Sequence, residues 1–179
     1  LLDDIDARGA SLAPTFAFID PFGYASTRLE LAGRILGFKR CEVLIYVPLP
    51  FIARFVAGDD PPEDAITHLF GDDRWRAAQS ESTQDGRERA LHDLLIDRLR
   101  EECEFVRSFE IVGSGPNNGA TLFFGTNNRL GLSKMKSAMW KVDPVEGQAF
   151  QDSTDGGQIT LFQPTPDFGQ LESQMRDHF

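Results

Sequence analysis

Cysteine is scarce in this chain of 179 residues: Cys41 and Cys103 are the only two. Two cysteines cannot staple a secreted disulfide framework, and their separation has no metal-site spacing. Histidine is scarce as well. His68, His92 and His178 are scattered, and no HxxxH or CxxC pattern joins them, which removes the common zinc signatures. No run approaches the roughly 20 apolar residues that a membrane-crossing helix needs. Positive charge is in deficit: 18 Lys+Arg stand against 28 Asp+Glu, a formal charge of -10, with a pI of about 4.7. Such a chain does not hold nucleic acid through bulk charge. The start, Leu1-Leu2-Asp3-Asp4-Ile5-Asp6, lacks the basic region of a signal peptide. It also lacks an initiating Met, so the chain is expected to begin inside a longer protein. Neither a GxSxG elbow nor a phosphate-binding P-loop occurs. What remains is the expectation of a reduced, cytoplasmic globular domain with no membrane partner. The 41% of hydrophobic residues suffices for a core.

Two continuous apolar runs read as buried strands. The first is Thr15-Phe16-Ala17-Phe18-Ile19, stopped by Asp20-Pro21-Phe22-Gly23; the second covers Val43 to Val47 and is closed by Pro48 and Pro50. Between them, Thr27 with Glu30 has capping-box spacing, and Leu31, Ile35 and Leu36 lie near one helix face, with Gly37 as a stop. Residues 57–64 and 71–86 read as loops flanking a short helical piece at 65–70. Leu91, Leu94, Leu95, Leu99 and Cys103 form one stripe of a helix over 87–103. Strands at 105–112 and 120–126, joined by the glycine-rich turn 113–119, predict an antiparallel hairpin. A helix then runs over 130–142, with Leu132, Met135, Ala138, Met139 and Val142 at helical spacing, and Asn128 as its N-cap. A weak strand over 158–162 and a terminal helix from 168 complete the reading. The order β-α-β-α-β-β-α predicts an α/β sheet with parallel strands and an antiparallel hairpin closing it.

Asp20 is the sharpest chemical candidate. Ligands of open α/β sheets bind beyond the carboxyl ends of strands, where Asp20 falls. A carboxylate there, with the Pro21 carbonyl and an aromatic ring from Phe22 or Tyr24, suits a planar amine: the oxygens accept its protons and the ring stacks. The plainer role is a turn cap. Metal-dependent hydrolysis at Asp20 would need further carboxylates that the pattern does not supply. Glu42 begins its strand, at the end opposite Asp20, so the two do not form one carboxylate site.

The second candidate is a charge asymmetry. From Ile111 to Val142 there is no Asp or Glu, yet Arg129, Lys134, Lys136 and Lys141 fall there. This stretch carries +4, so the rest of the chain sums to -14. Lys134 and Lys141, seven apart, share a helix face, while Lys136 projects elsewhere. The stretch can meet phosphates, or it is a solvated face. Met139 and Trp140 read as core.

Three stretches together carry a resemblance: Thr15–Gly23 (TFAFIDPFG), Leu130–Lys136 (LGLSKMK) and Ala138–Pro144 (AMWKVDP). Over roughly residues 13–165 the chain resembles the three-Cys-motif partner protein family, a bacterial group. The resemblance implies a methyltransferase-like, Rossmann-like three-layer sandwich, here its C-terminal half, with strands in the order 4-5-7-6. Residues 1–165 would be this partial domain and 166–179 the start of a helical extension. It further implies S-adenosylmethionine as cofactor and Asp20, Pro21, Phe22 and Tyr24 as the catalytic turn. The chain departs from the amino-methyltransferase pattern: Phe22 stands in place of a second Pro, Gly23 in place of the aromatic residue. The glycine-rich loop that makes most of the cofactor contact is also missing from it. Two partners are implied, a nucleic acid whose amine is methylated or, for a non-catalytic module, a protein.

Overall fold

The computed structural model describes residues 2–20, 28–112, 119–144 and 147–151. A short helix α1 (Leu2–Ala7) precedes strand β1 (Thr15–Ile19), helix α2 (Leu29–Leu36) and strand β2 (Cys41–Val47). Helices α3 (Leu49–Val56) and α4 (Glu63–Phe70) follow, then a 3-10 helix (Asp73–Ser80) and the long α5 (Gln84–Glu102). Strands β3 (Phe105–Val112) and β4 (Ala120–Thr126), helix α6 (Arg129–Val142) and strand β5 (Ala149–Gln151) complete the described chain. Residues 21–27 and 152–179 lie outside the described residues, and with them Pro21, Phe22, Tyr24, Thr27 and the elements expected beyond 158.

The strands form one mixed sheet in the order β1-β2-β4-β3-β5. β1 and β2 are parallel, with Phe16 beside Glu42 and Ile19 beside Ile45. The expected hairpin is present: β3 and β4 are antiparallel, Ser108 beside Phe123. β4 also runs antiparallel to β2, Glu42 beside Thr126 and Val47 beside Thr121. β5 adds a short parallel strand along Glu110–Val112.

One face of the sheet carries the main core. Val43, Ile45, Val47 and Phe123 point into it and meet Leu36, Ile52, Phe70, Trp75, Leu91, Leu95 and Leu99. The stripe expected on α5 is the packed one: Leu91, Leu95 and Leu99 are fully buried, Cys103 just beyond is buried, and Leu94 is partly buried against the core. Helix α5 starts earlier than expected because the Thr83 hydroxyl accepts the Gly86 N–H at 3.0 Å, an N-cap hidden in a polar stretch. Pro48 and Pro50 do not only close β2. They open α3, with Pro48 as N-cap and Pro50 in the first turn, where a missing N–H costs nothing. The expected loop 71–86 contains the 3-10 helix, started by Asp72 accepting the Arg74 N–H at 3.0 Å.

Among the described residues, α6 is the one helix on the second face. Gly131 lies against the Glu42 carboxylate, which projects from β2 on the side opposite Val43 and Ile45. Phe109, Phe124 and Met139 are buried there, outside the main core. The rest of α6 departs from the expected apolar face: Ala138 is exposed, and Leu130, Trp140 and Val142 are among the exposed large hydrophobics. β1 also departs from the expected buried strand. Among the described residues it pairs only with β2, and Phe16 and Phe18 are 52% and 55% exposed. In α2 the N-cap is Arg28 and Leu31 faces solvent, Leu29 and Ala32 taking its place in the core. No helix among the described residues is long and apolar enough to cross a membrane.

A charged cluster joins the 3-10 helix to α4 and α5. Arg74 donates to Asp72 at 2.8 Å and to Glu101 at 3.0 Å, Arg98 pairs with Glu101, and Arg76 grips Glu63 at 2.7 and 2.8 Å. Hydrogen bonds from Arg76 hold the Glu63 carboxyl below its usual range, and those from Arg74 and Arg98 do so for Glu101. Burial pushes Asp72 up, but the Arg74 backbone N–H and the Arg74 and Arg98 guanidiniums outweigh it and leave it lowered. A carboxylate held lower in the folded state stabilises above its unfolded pKa, and that stabilisation disappears as pH falls through the folded value. Urea midpoints are therefore expected to hold steady from pH 7 down to about 4.5 and fall below it. Glu101→Gln should flatten that fall; an unchanged profile would remove the cluster from acid stability.

Candidate functional site

β1 delivers Asp20 to the carboxyl end of the sheet, one residue past the Ile19–Ile45 pair, with its side chain exposed. Glu42 sits at the other end of β2, where the Thr126 hydroxyl donates to its Oε1 at 3.2 Å. The separation of the two carboxylates expected from the sequence is the observed one. The polar run after β4 is structural. Asn128 Oδ1 accepts the Leu130 N–H at 2.9 Å and caps α6. Asn127 bridges two elements, accepting from the Glu104 N–H at 2.8 Å and donating to the Leu36 carbonyl at 3.1 Å.

The basic residues of α6 do not form one patch. A rise of 100° per residue puts Arg129 and Lys136 on one side and Lys134 and Lys141 on nearly the opposite one. Lys136 lines a cleft and the other three do not. Arg129 lies at the amino end of α6, beside the Glu42–Thr126 end of the sheet, whereas Asp20 lies at the far end. None of the four forms an ion pair among the described residues.

The cleft has a volume of about 990 Å³ and wraps the edge of β3 below β5. Its α5 wall presents Glu88, Asp93 and Asp97, and its α6 wall presents Lys136, Met139 and Trp140. Arg107 joins the α6 side, since Val106, its neighbour on the strand, points into the main core. Asp20 does not line this cleft. Met139 is buried as expected, but Trp140 is 48% exposed and is a wall of the cleft rather than core.

A line of polar groups missed by the sequence runs along the α5 wall. His92 Nε2 lies 2.9 Å from Ser108 Oγ, and His92 Nδ1 lies 2.9 Å from Asp93 Oδ1. The residue types match a nucleophile, base and orienting acid. The Asp93 side chain is 68% exposed, so its carboxylate is in water rather than fixed in a dry site. The His92 ring packs on Phe123 at 5.4 Å, and the line acts as a strut between α5 and β3. Sixteen positions separate His92 from Ser108, and only the α5–β3 packing brings them together.

Both cysteines are free and buried, and burial pushes the Cys103 thiol up, which suits an inert core position rather than a nucleophile. No cluster of metal-ligating side chains occurs among the described residues. Fold and cleft together define a mixed α/β domain with a two-walled cleft on a hairpin edge. No family model, curated protein or solved structure matches the chain.

Proposed function

We propose that the chain is a methyltransferase-type, Rossmann-like α/β domain that receives a nucleic-acid amine. The observation that carries this reading is the strand order. β1-β2-β4-β3, with the first pair parallel and the last strand of the hairpin inserted antiparallel, is the order 4-5-7-6 that the family resemblance implies. Asp20 then stands at the strand end where an acceptor amine is held. An exposed carboxylate there can accept a hydrogen bond from an exocyclic amine, and a flipped base is the geometry that brings one within reach.

The residues present do not fit S-adenosylmethionine. The cleft lies at the β3 edge, away from Asp20, and among the described residues no glycine-rich loop joins a strand to a helix. No methyl-transfer step is therefore derived for these residues; their part is to bind and orient the acceptor.

The test compares oligonucleotides whose target base carries an exocyclic amine with matched ones in which purine replaces adenine, by fluorescence polarisation. Adenine is expected to bind about tenfold tighter, the value of one good polar contact, and Asp20→Ala should erase that preference. Equal affinity for both oligonucleotides would overturn the amine reading. A second reading, a non-catalytic module docking a protein partner, is favoured by the exposed rings of Phe16 and Phe18. It takes over if no oligonucleotide binds at low salt.

A further inference from the structure

Trp140 stands half in water and is held there by built geometry. Gly147 lies flat on the indole: a Cβ at Gly147 would come within 2.9 Å of Cε2, 3.0 Å of Cδ2 and 3.1 Å of Nε1. Its φ of +66° is a left-handed conformation natural to glycine. The loop carrying it is pinned from both sides. The Gly147 N–H donates to the Asp143 carbonyl at 3.0 Å, and the Asp143 carboxylate accepts the Gln148 and Ala149 N–H groups at 3.0 and 3.2 Å. The Glu110 N–H donates to the Gln148 carbonyl at 2.8 Å and ties the loop to the sheet. One face of the indole is thus braced by backbone, and the ring forms a wall of the cleft.

Lys136 lies one turn before Trp140 on the same side of α6, and Arg107 stands on the same cleft wall. The opposite wall is acidic on balance, with Glu88, Asp93 and Asp97 against one cation, Arg100, which pairs with Asp97 at 3.1 Å. A phosphate is therefore drawn to the α6 wall and repelled from the α5 wall. The indole face between them offers stacking that every base can use.

We infer that Trp140, Lys136 and Arg107 form a stacking shelf for single-stranded nucleic acid, taking a base on the indole and its flanking phosphates on the two cations. The inference rests on the nucleic-acid reading above for its class of ligand. It adds a binding locus separate from Asp20 and predicts sequence tolerance there.

The two tryptophans give the shelf its own signal, because Trp75 is fully buried and only Trp140 can meet a ligand. Titration with an oligothymidylate of about 12 nucleotides, within the usual site sizes, is expected to quench the emission saturably at low salt. Thymine has no exocyclic amine, so this titration reads the shelf apart from the amine contact at Asp20. Trp140→Leu should weaken binding at least fivefold, the lower end of the value of one stacked base. Trp140→Phe, which keeps a ring, should retain most of the affinity while losing the quench. Binding with unchanged emission, or undiminished affinity in Trp140→Leu, would overturn the shelf and leave the amine reading standing. Quenching with no preference for adenine would overturn the amine reading and leave the shelf. No binding at low salt would overturn both.

Discussion

Replacing Trp75 with alanine is expected to lower the unfolding free energy by about 3–5 kcal/mol, the usual cost of emptying a buried tryptophan site. Trp75 is the largest fully buried side chain, and it comes from the 3-10 helix, whose other buried residue is the small Ala78. Its Nε1–H donates to the Thr67 hydroxyl at 2.9 Å, and that hydroxyl donates in turn to Asp73 at 3.0 Å. The Arg76 guanidinium lies over the ring at 4.7 Å. Truncation therefore opens a cavity, leaves Thr67 without its donor and detaches Arg76 from an aromatic surface in a single change. Trp75→Phe keeps most of the volume and should cost less than half as much. Urea denaturation of both variants checks this, read as a shift of midpoint at constant slope. A Trp75→Ala midpoint within error of the parent would mean that the 3-10 helix is not part of the cooperative core.

Reversing Arg107 and Lys136, the two cations on the α6 side of the cleft, together to glutamate is expected to weaken oligonucleotide binding about 70-fold or more at 50 mM salt. Each phosphate contact to a single strand contributes about 0.7 to the slope of log affinity against log salt. Two lost contacts lower the slope by about 1.4, which at 50 mM salt amounts to that factor, and the new negative charges add repulsion. Reversing Lys134 and Lys141, the other side of the helix, changes net charge equally. It should cost far less, because neither residue lines the cleft. Salt titrations of the two double variants decide the matter. Equal losses would reduce α6 to a source of bulk positive charge.

The hairpin and the α5 stripe were legible because their signals are local. Leu91, Leu95 and Leu99 repeat at helical spacing, and the glycine-rich turn separates two runs of strand-forming residues. Helix α3 was hidden by its own prolines, since Pro after a strand reads as a stop until the first turn of a helix is known to follow. The exposure of Phe16 and Phe18 could not be read from a continuous apolar run. Such a run states what a strand could bury, and only the sheet order shows which neighbours are there to bury it. Of the candidate site, Asp20 at a strand end and the acid-free stretch 111–142 were legible. The division of the basic residues between two sides of α6 needed only helical geometry. The exposure of Trp140 depended on a glycine seven positions on, at a backbone angle that no side-chain pattern reports.

The sheet is also two sequence-local halves stitched along one line. Strands β1 and β2 come from residues 15–47 and strands β3, β4 and β5 from residues 105–151, and among the described residues the β2–β4 ladder alone joins them. The span between, residues 49–102, holds three α-helices and the 3-10 helix with no strand, and packs onto one face. Within each half the paired strands are near neighbours along the chain, so their contacts close short loops. The ladder from Glu42–Thr126 to Val47–Thr121 closes the long one, and the entropy of loop closure in this fold is concentrated there. A substitution along that line therefore acts on the longest closure in the sheet, where pairing is won only after about 75 to 85 residues of chain have been brought together.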